Sequence, residues 1–565
     1  MNKVPIQIMD LTTLKAVVFE LKKDIVPSRF EKAQQIDSNT VQLGFRTLQN
    51  LTWLEISWLA ESPRIVQIKS PKKFGDKSTL AKQLQHLLAN LALVEIEQTG
   101  FERIVKLKFS RKPGEETEKE LIIELMGRHS NFLLLDRTSK VITLGKQIKE
   151  TQSKLRPIGT GDIYSLPPSL NGLVPSLHES FNSWKDNICL VPNIFSKSLN
   201  NTYQGISPSI TIQLASDNYN EALNIINQSV NTIDLKIWVS IFKRWERWLS
   251  DIENNNYAIN FKGPTEFSVW GKTQLEIENN KVSLYLGSYY SNKILERKIN
   301  SIKEKLKQDL ENSRINEIKK LDAQKLLLEN ISEYLTMQNK ANDILCLENP
   351  NKKQIIESQK LYKEAKRKKR SRESILNRIE FHNQKISDIE SSELFLNSLI
   401  KEETGDKKEQ LDRLNEIKEE IEEYIFISKN NSKSKNIKKQ STNHKEIMSP
   451  NGLKIQIGGN HRQNELISLK KGKKGDLWFH AQEIPGSHVV LKSSNGFTDE
   501  KDIQLAADLA SFFSRARGNK LVPVIMVPIE NLQRISGALP GTVRHKGGKV
   551  LWGQTERAEK YFHRK

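Results

Sequence analysis

Short alternating apolar runs dominate the first third of the chain. Val41 to Phe45, Trp53 to Trp58, Ile65 to Ile68 and Arg103 to Phe109 read as strands separated by turns. Helical spacing interrupts them at Leu11 to Lys23, where Leu14, Val17, Val18 and Leu21 share a face, and again at Leu80 to Leu88. Residues 1–168 are therefore expected to form an α+β domain. Tyr164-Ser165-Leu166-Pro167-Pro168 marks its end, because paired prolines stop regular structure. The following stretch, 169–290, reads as mostly helical. Within it, Tyr203-Gln204-Gly205-Ile206-Ser207-Pro208 leading into Ile210 to Ala215 has the character of a helix-hairpin-helix unit, which offers backbone amides to phosphates. The same residues also make an ordinary helix start, with a serine cap and proline at the first position.

From residue 291 the period lengthens. Leu295, Ile299, Ile302 and Leu306 alternate in steps of four and three, and Ile375, Ile379, His382, Ile386, Ile389, Glu393 and Leu396 continue a seam. Leu411, Leu414, Ile417, Ile421 and Tyr424 add another. Two arms joined near Asn349-Pro350-Asn351 predict an antiparallel coiled-coil hairpin over 291–428, each arm on the order of 75 Å long at about 1.5 Å per residue. His382 and Glu393 are polar faults that would set its register. A Lys, Ser and Asn-rich stretch within 429–446 reads as a flexible linker, and 447–565 as a closing α/β domain.

Charge sharpens this outline. The 565 residues carry a formal net charge of +20, which points to a polyanionic partner, nucleic acid first among them. Gln359 to Arg370 concentrates the excess in Lys-Leu-Tyr-Lys-Glu-Ala-Lys-Arg-Lys-Lys-Arg; such runs are also commonly solvated helix faces. Two distant cysteines, Cys189 and Cys346, argue against a disulfide framework. The chain opens without a basic segment followed by an apolar one and holds no apolar stretch of membrane-spanning length, so a cytoplasmic protein without membrane contact is expected.

The densest chemistry lies at Asp476 to His488. Asp476, Trp478, His480, Pro485, Gly486, Ser487 and His488, leading into Val489 to Leu491, suggest two strands joined by a tight turn. Taken residue by residue, the aromatic and apolar members equally well fill a small core, with both histidines satisfied by backbone. A metal site is not expected, since His480 and His488 have no CxxC or HExxH beside them. In the first domain, Gly100-Phe101-Glu102-Arg103 places an acid and a base where a turn enters a strand, on opposite faces if the strand includes both. A surface ion pair would look the same. Glu124-Leu125-Met126-Gly127-Arg128-His129-Ser130-Asn131 precedes the apolar run Phe132 to Leu135; Gly127 admits a close ligand, Arg128 supplies charge, and Ser130 and Asn131 supply neutral donors and acceptors. No phosphate loop, GxSxG or paired cysteine and histidine suggests catalysis, and no cofactor is expected.

The C-terminal block resembles the NFACT-R domain of the RqcH and NEMF family of ribosome quality-control factors, whose bacterial members were also named fibronectin-binding proteins. Gly452, Ile455 to Gly458, Asn464-Glu465, Ala506 to Ser514 and Pro540 to Val543 extend the match. The first domain looks like NFACT-N, related in fold to the N-terminal domain of formamidopyrimidine-DNA glycosylases. The resemblance implies a multidomain α+β protein: NFACT-N, a helix-hairpin-helix unit, an antiparallel coiled-coil hairpin and an α/β NFACT-R domain. It implies a factor acting as a monomer on a stalled large ribosomal subunit carrying peptidyl-tRNA. There it would recruit aminoacyl-tRNA, alanyl-tRNA in bacteria, for template-free tailing of the nascent chain, the ribosome itself forming the bonds. By the same resemblance Glu102 and Arg103 stand where the family has an Asp-Arg pair for tRNA, with glutamate a departure. Glu124, Gly127, Arg128, Ser130 and Asn131 form a second tRNA surface, and Tyr362, Lys363, Lys366, Arg367 and Lys368 a ribosomal RNA contact. Two rivals stay open at this point: a fibronectin-binding surface adhesin, and a DNA-repair protein of glycosylase-like fold. Against repair, Met1 to Pro5 does not present an N-terminal proline nucleophile.

Overall fold

The computed structural model describes residues 6–71, 78–153, 156–168, 171–271, 281–329, 331, 334–401, 406–425 and 444–563. Most of the expected linker and the Met1 to Pro5 segment lie outside them. The chain divides into two compact units, Met1–Ile294 and Leu295–Lys565.

The first unit begins with α1 (Leu11–Ile25), which starts where Asp10 accepts the Thr13 amide. Strands β1 (Ser28–Asp37), β2 (Thr40–Arg46), β3 (Leu51–Ser57) and β4 (Arg64–Ile68) follow, then α2 (Thr79–Leu87), capped by Ser78. Strands β5 (Ala92–Gln98), β6 (Ile104–Ser110), β7 (Lys119–Glu124), β8 (Asn131–Leu135) and β9 (Val141–Leu144) complete one antiparallel sheet in the order β4-β3-β2-β1-β5-β6-β7-β8-β9. The four strands expected from alternation are present. Ser28–Asp37, Ala92–Gln98 and Lys119–Glu124 were not legible, because polar residues dilute their period.

Helices α3 (Phe181–Cys189), α4 (Phe195–Thr202), α5 (Pro208–Ala215), α6 (Tyr219–Ile226) and α7 (Leu235–Glu253) enclose a second core built on Trp184, Trp238, Trp245 and Trp248. The Trp248 indole donates to Thr12 Oγ1 (2.8 Å), tying α7 to α1. The long helix α8 (Val282–Glu329) runs without a break through the boundary expected at 290: Val282, Leu286 and Tyr290 are buried in the core of the sheet domain.

In the second unit α8 and then α9 (Tyr334–Leu345) run along α10 (Lys352–Lys401), and α11 (Lys407–Tyr424) follows. The turn near Asn349-Pro350-Asn351 separates α9 from α10, as the sequence predicts. Small residues let these two helices approach: Ala341 is fully buried, and Ser358 Oγ donates to its carbonyl (3.0 Å). The two polar seam residues find partners across the hairpin, His382 on Glu317 (2.7 Å) and Glu393 on Arg314 (3.4 Å). At its base the hairpin becomes three-stranded, with Leu411, Leu414, Ile417 and Ile421 of α11 packed on Ile299, Leu306 and Leu396.

The C-terminal domain comprises β10 (Lys445–Met448), β11 (Lys454–Ile457), α12 (His461–Glu465), β12 (Leu477–Ala481), β13 (Val489–Leu491), α13 (Glu500–Phe512), β14 (Val522–Pro528), β15 (Leu532–Arg534), β16 (Val543–His545), β17 (Lys549–Gly553) and α14 (Thr555–His563). Its sheet has the order β10-β11-β13-β12-β14-β17, with β15 and β16 a separate hairpin. Helix α13 opens with a reciprocal capping box between Asp499 and Asp502 and covers one face of the sheet. No helix among the described residues is long and apolar enough to cross a membrane.

Candidate nucleic-acid interface

The register between β6 and β7 places Ile104 opposite Glu124, so the two N-terminal motifs become neighbours. The Leu125 amide donates to the Arg103 carbonyl (2.9 Å), joining them through the backbone. Gly100 takes a positive φ of 61° early in the β5–β6 turn, and Gln98 Nε2 clasps the turn by donating to the Gly100 (3.2 Å) and Glu102 (2.8 Å) carbonyls. Glu102 and Arg103 lie just ahead of β6, so strand alternation does not divide them as expected. Their charges instead attract each other.

A third element converges on this turn. Gly205 adopts φ +74°, and a Cβ there would sit 2.7 Å from Leu11 and 2.9 Å from Phe101, so the α4–α5 connection packs directly on both. Ser207 caps α5 through the Ile210 amide (3.2 Å) and shares a hydrogen bond with Ser209 (2.8 Å). Ser209 Oγ in turn donates to Asp10 Oδ2 (2.9 Å). Burial raises the Asp10 pKa, against its bonds from Thr13 and Ser209 and the nearby Arg103 charge. Burial lowers that of Arg103, against attraction from Asp10 and Glu102. Lys15 Nζ lies 5.8 Å from the Phe101 ring centre. Asp10, Lys15 and Ser209 carried no functional signal in the sequence; their pattern is that of an ordinary helix start.

The 124–131 segment divides sharply into inward and outward members. Buried Glu124 accepts two bonds from Arg156 (3.0 and 2.7 Å) and one from the Tyr164 hydroxyl (3.0 Å). Ser130 accepts the Met126 amide (2.8 Å). Asn131 accepts the Phe132 (2.9 Å) and Lys146 (3.0 Å) amides and donates to the Lys146 carbonyl (2.9 Å). All three were expected to touch RNA, yet Glu124 is taken up by Arg156 and Tyr164 and Asn131 by Phe132 and Lys146, while Ser130 closes a short turn at 127–129, which Gly127 permits with φ +57°. Arg128 and His129 stand exposed on that turn, joined by a 3.0 Å hydrogen bond.

On α10, Lys363, Lys366 and Arg367 are exposed, while Lys368 and Tyr362 are half-buried and the Tyr362 hydroxyl donates to Asn342 of α9. Ala365 is buried among them, so the run lies with one small face inward and its cations outward, toward the end of the hairpin that carries the turn.

The Asp476 to His488 block is turned inward. Asp476 is fully buried and pairs with Lys492 (2.9 Å), Ser494 Oγ (2.6 Å) and the Lys473 amide (2.9 Å). Burial alone would raise its pKa, but the bonds from Ser494, Lys492 and Lys473 hold it below the usual value. Trp478 is buried, with His480 stacked on it at 5.6 Å and His488 edge-on at 5.0 Å. His480 Nε2 meets the Gly486 carbonyl (3.3 Å) and His488 Nδ1 meets Ser468 Oγ (2.8 Å). Burial lowers both pKa values, keeping the rings neutral. Strands β12 and β13 pair as expected, but residues 482–488 form an open loop rather than a tight turn. The chain is held there by bonds from the Arg515 amide to the Pro485 carbonyl (2.9 Å) and from the Ser487 amide to the Phe513 carbonyl (2.9 Å). No metal-binding cluster occurs among the described residues.

A family model for NFACT N-terminal and middle domains matches residues 10–349, and one for the NFACT protein RNA binding domain matches residues 444–547. A protein called Rqc2 homolog RqcH from Streptococcus pneumoniae (serotype 2, strain D39) is 25% identical over 565 residues, spanning 95% of this chain and 96% of that protein. The Bacillus subtilis (strain 168) protein of the same name is 26% identical over 491 residues, spanning 80% and 81%. A solved structure of the C-terminal part of a fibronectin/fibrinogen-binding protein from Streptococcus suis is 29% identical and covers 47% of this chain and 98% of its own, with a TM-score of 0.38.

Proposed function

The chain belongs to the NFACT family, and from that membership we propose that it is a ribosome-associated quality-control factor working in the cytoplasm. It binds a large ribosomal subunit that still carries peptidyl-tRNA after stalling. It then recruits an aminoacyl-tRNA, alanyl-tRNA in bacteria, for template-free addition of a C-terminal tail that marks the nascent chain for degradation. The ribosome's own centre makes the peptide bonds, and this protein contributes position and selection of the tRNA.

The observation that carries this reading is the meeting of the Glu102-Arg103 turn, the α1 start, the α4–α5 turn and the exposed Arg128-His129 pair at one corner of the sheet domain. Arg103 offers a planar fork suited to a phosphate or a guanine edge, and Glu102 an acceptor for a base amino group or a ribose hydroxyl. Ser130 acts behind them by closing the turn that presents Arg128, and Glu124 and Asn131 anchor the ends of the strands that flank it. The exposed cations of α10 suit sequence-independent, salt-sensitive contact with ribosomal RNA.

The test is copurification. Tagged protein recovered from its own lysate is expected to bring down large-subunit RNA and a dominant tRNA, and Glu102→Ala with Arg103→Ala to lose the tRNA alone. Arg103→Lys keeps the charge without the fork and is expected to recover little of it.

A further inference from the structure

The C-terminal sheet has two faces with different fates. Phe479, Val489, Leu491 and Val524 are buried beneath α13. On the other face Trp478, Val490 and Val527 are closed over by Ile467, Leu532 and Val543, from the 466–470 turn and the β15–β16 hairpin. That cover stops short of the β17 edge. Trp552 stands 59% exposed and Val550 45%, and the register sets Trp552 opposite Pro523 and Val550 opposite Ile525, with His480 next to Ile525 on the following strand. An indole left this open on an edge strand is an unusual placement, since large aromatic side chains are among the most buried on average.

The charge around it narrows the choice of partner. Arg544-His545-Lys546-Gly547-Gly548-Lys549 runs from the end of β16 through the 546–548 connection into the start of β17 and is exposed throughout. Arg544, Lys546 and Lys549 have no carboxylate partner among the described residues. A Cβ at Gly548 would lie 3.0 Å from Val527 and 3.1 Å from Ile525, so this basic loop runs directly against the open face. An apolar peptide or a second copy of the chain would cover the indole but has no use for a ring of uncompensated cations.

We propose that the β17 edge of this face is a stacking platform for unpaired RNA bases, with Trp552 as the stacking residue and the 544–549 loop as its phosphate contact. Base stacking on an aromatic face beside a basic track is how single strands are held without sequence readout. The proposal rests on the RNA-binding reading above and adds a place and a ligand form to it. Trp552 lies beyond residue 547, where the match to the RNA-binding family model ends.

The full-length protein is titrated against two labelled RNAs of about twelve nucleotides, an unstructured oligouridine and a duplex, with fluorescence anisotropy at low and moderate salt. Trp552→Ala should weaken oligouridine binding about tenfold and leave the duplex nearly unchanged, and Trp552→Phe should restore most of the loss. The Trp552 carbonyl accepts from Gln504 Nε2 (2.9 Å), and the substitution leaves that backbone anchor in place. Lys546→Ala should weaken both probes and flatten the salt dependence by about one ion. Wild-type protein that binds neither RNA at low salt would bring down the RNA reading and the platform together. Wild-type binding that Trp552→Ala leaves intact would remove the platform alone. Lost self-association in sedimentation, with RNA binding unchanged, would make the face a contact between copies instead.

Discussion

The segment at 124–131 and the block at 476–488 are both dense in unusual residues, yet they use them differently. In the first, Glu124, Ser130 and Asn131 turn inward, while Arg128 and His129 between them stand at the surface. In the second, Asp476, Trp478 and His488 are all interior, while Trp552 of β17 and the basic residues before it are exposed. A specific motif can therefore mark a scaffold as readily as a contact, and burial with hydrogen-bond partners tells the two apart.

Breaking the interior block should have the largest effect. Asp476→Ala leaves Lys492 nearly buried without its partner, and loss of one member of such a pair costs about 3–5 kcal/mol. Denaturant unfolding should show the C-terminal unit melting early, with the N-terminal unit unchanged. A C-terminal transition that does not move would mean Asp476 is not structural.

Glu124→Gln should do the same more mildly in the other unit. The amide keeps some acceptor capacity for Arg156 and Tyr164 but no charge, so about 1–3 kcal/mol of stability should be lost. RNA affinity per folded molecule should be nearly preserved. Arg128→Ala is the counterpart: stability should stay within about 0.5 kcal/mol, while tRNA retention falls and its salt slope drops by about one. If the two substitutions exchanged these effects, the division of the motif into scaffold and contact would be inverted.

A smaller effect lies where α11 meets the C-terminal domain. Buried Glu420 accepts the His461 (3.2 Å) and Arg462 (2.7 Å) amides at the start of α12. Burial pushes Glu420 up to about 7 and His461 down to about 4. A carboxyl with a raised folded pKa stabilises most below its ordinary value near 4.5 and loses that contribution as pH rises through 7. A histidine with a lowered pKa stabilises above 6.5 and loses it as pH falls toward 4. Between about 4.5 and 6.5 the two slopes oppose each other. Glu420→Gln removes one, so the variant's melting temperature should climb more steeply with pH over that window than the wild type's. Parallel curves would contradict this.

The arms of the hairpin and their joint near 349–351 were legible because a long apolar period has few alternative explanations. His382 and Glu393 were readable as register marks for the same reason, and each meets an opposite charge or hydrogen-bond partner across the hairpin. The N-terminal site was only half legible. Sequence spacing could not reveal that Ile104 pairs with Glu124, or that Gly205 packs on Phe101, since both arise from long-range contacts. Nor could it tell that Glu124 is claimed by Arg156, a residue whose local sequence is unremarkable in pattern. Trp552 was missed because a lone tryptophan in a strand reads as core.

The central claim is that the corner around Glu102 and Arg103 holds tRNA independently of how the protein holds the ribosome. Sequencing the RNA that accompanies tagged wild-type protein and the Glu102→Ala, Arg103→Ala variant, after matched unfolding curves, tests it most directly. The account predicts a dominant tRNA that vanishes from the variant while large-subunit RNA remains at its wild-type level. Retention of the tRNA, or loss of both RNAs together from a folded variant, would contradict it.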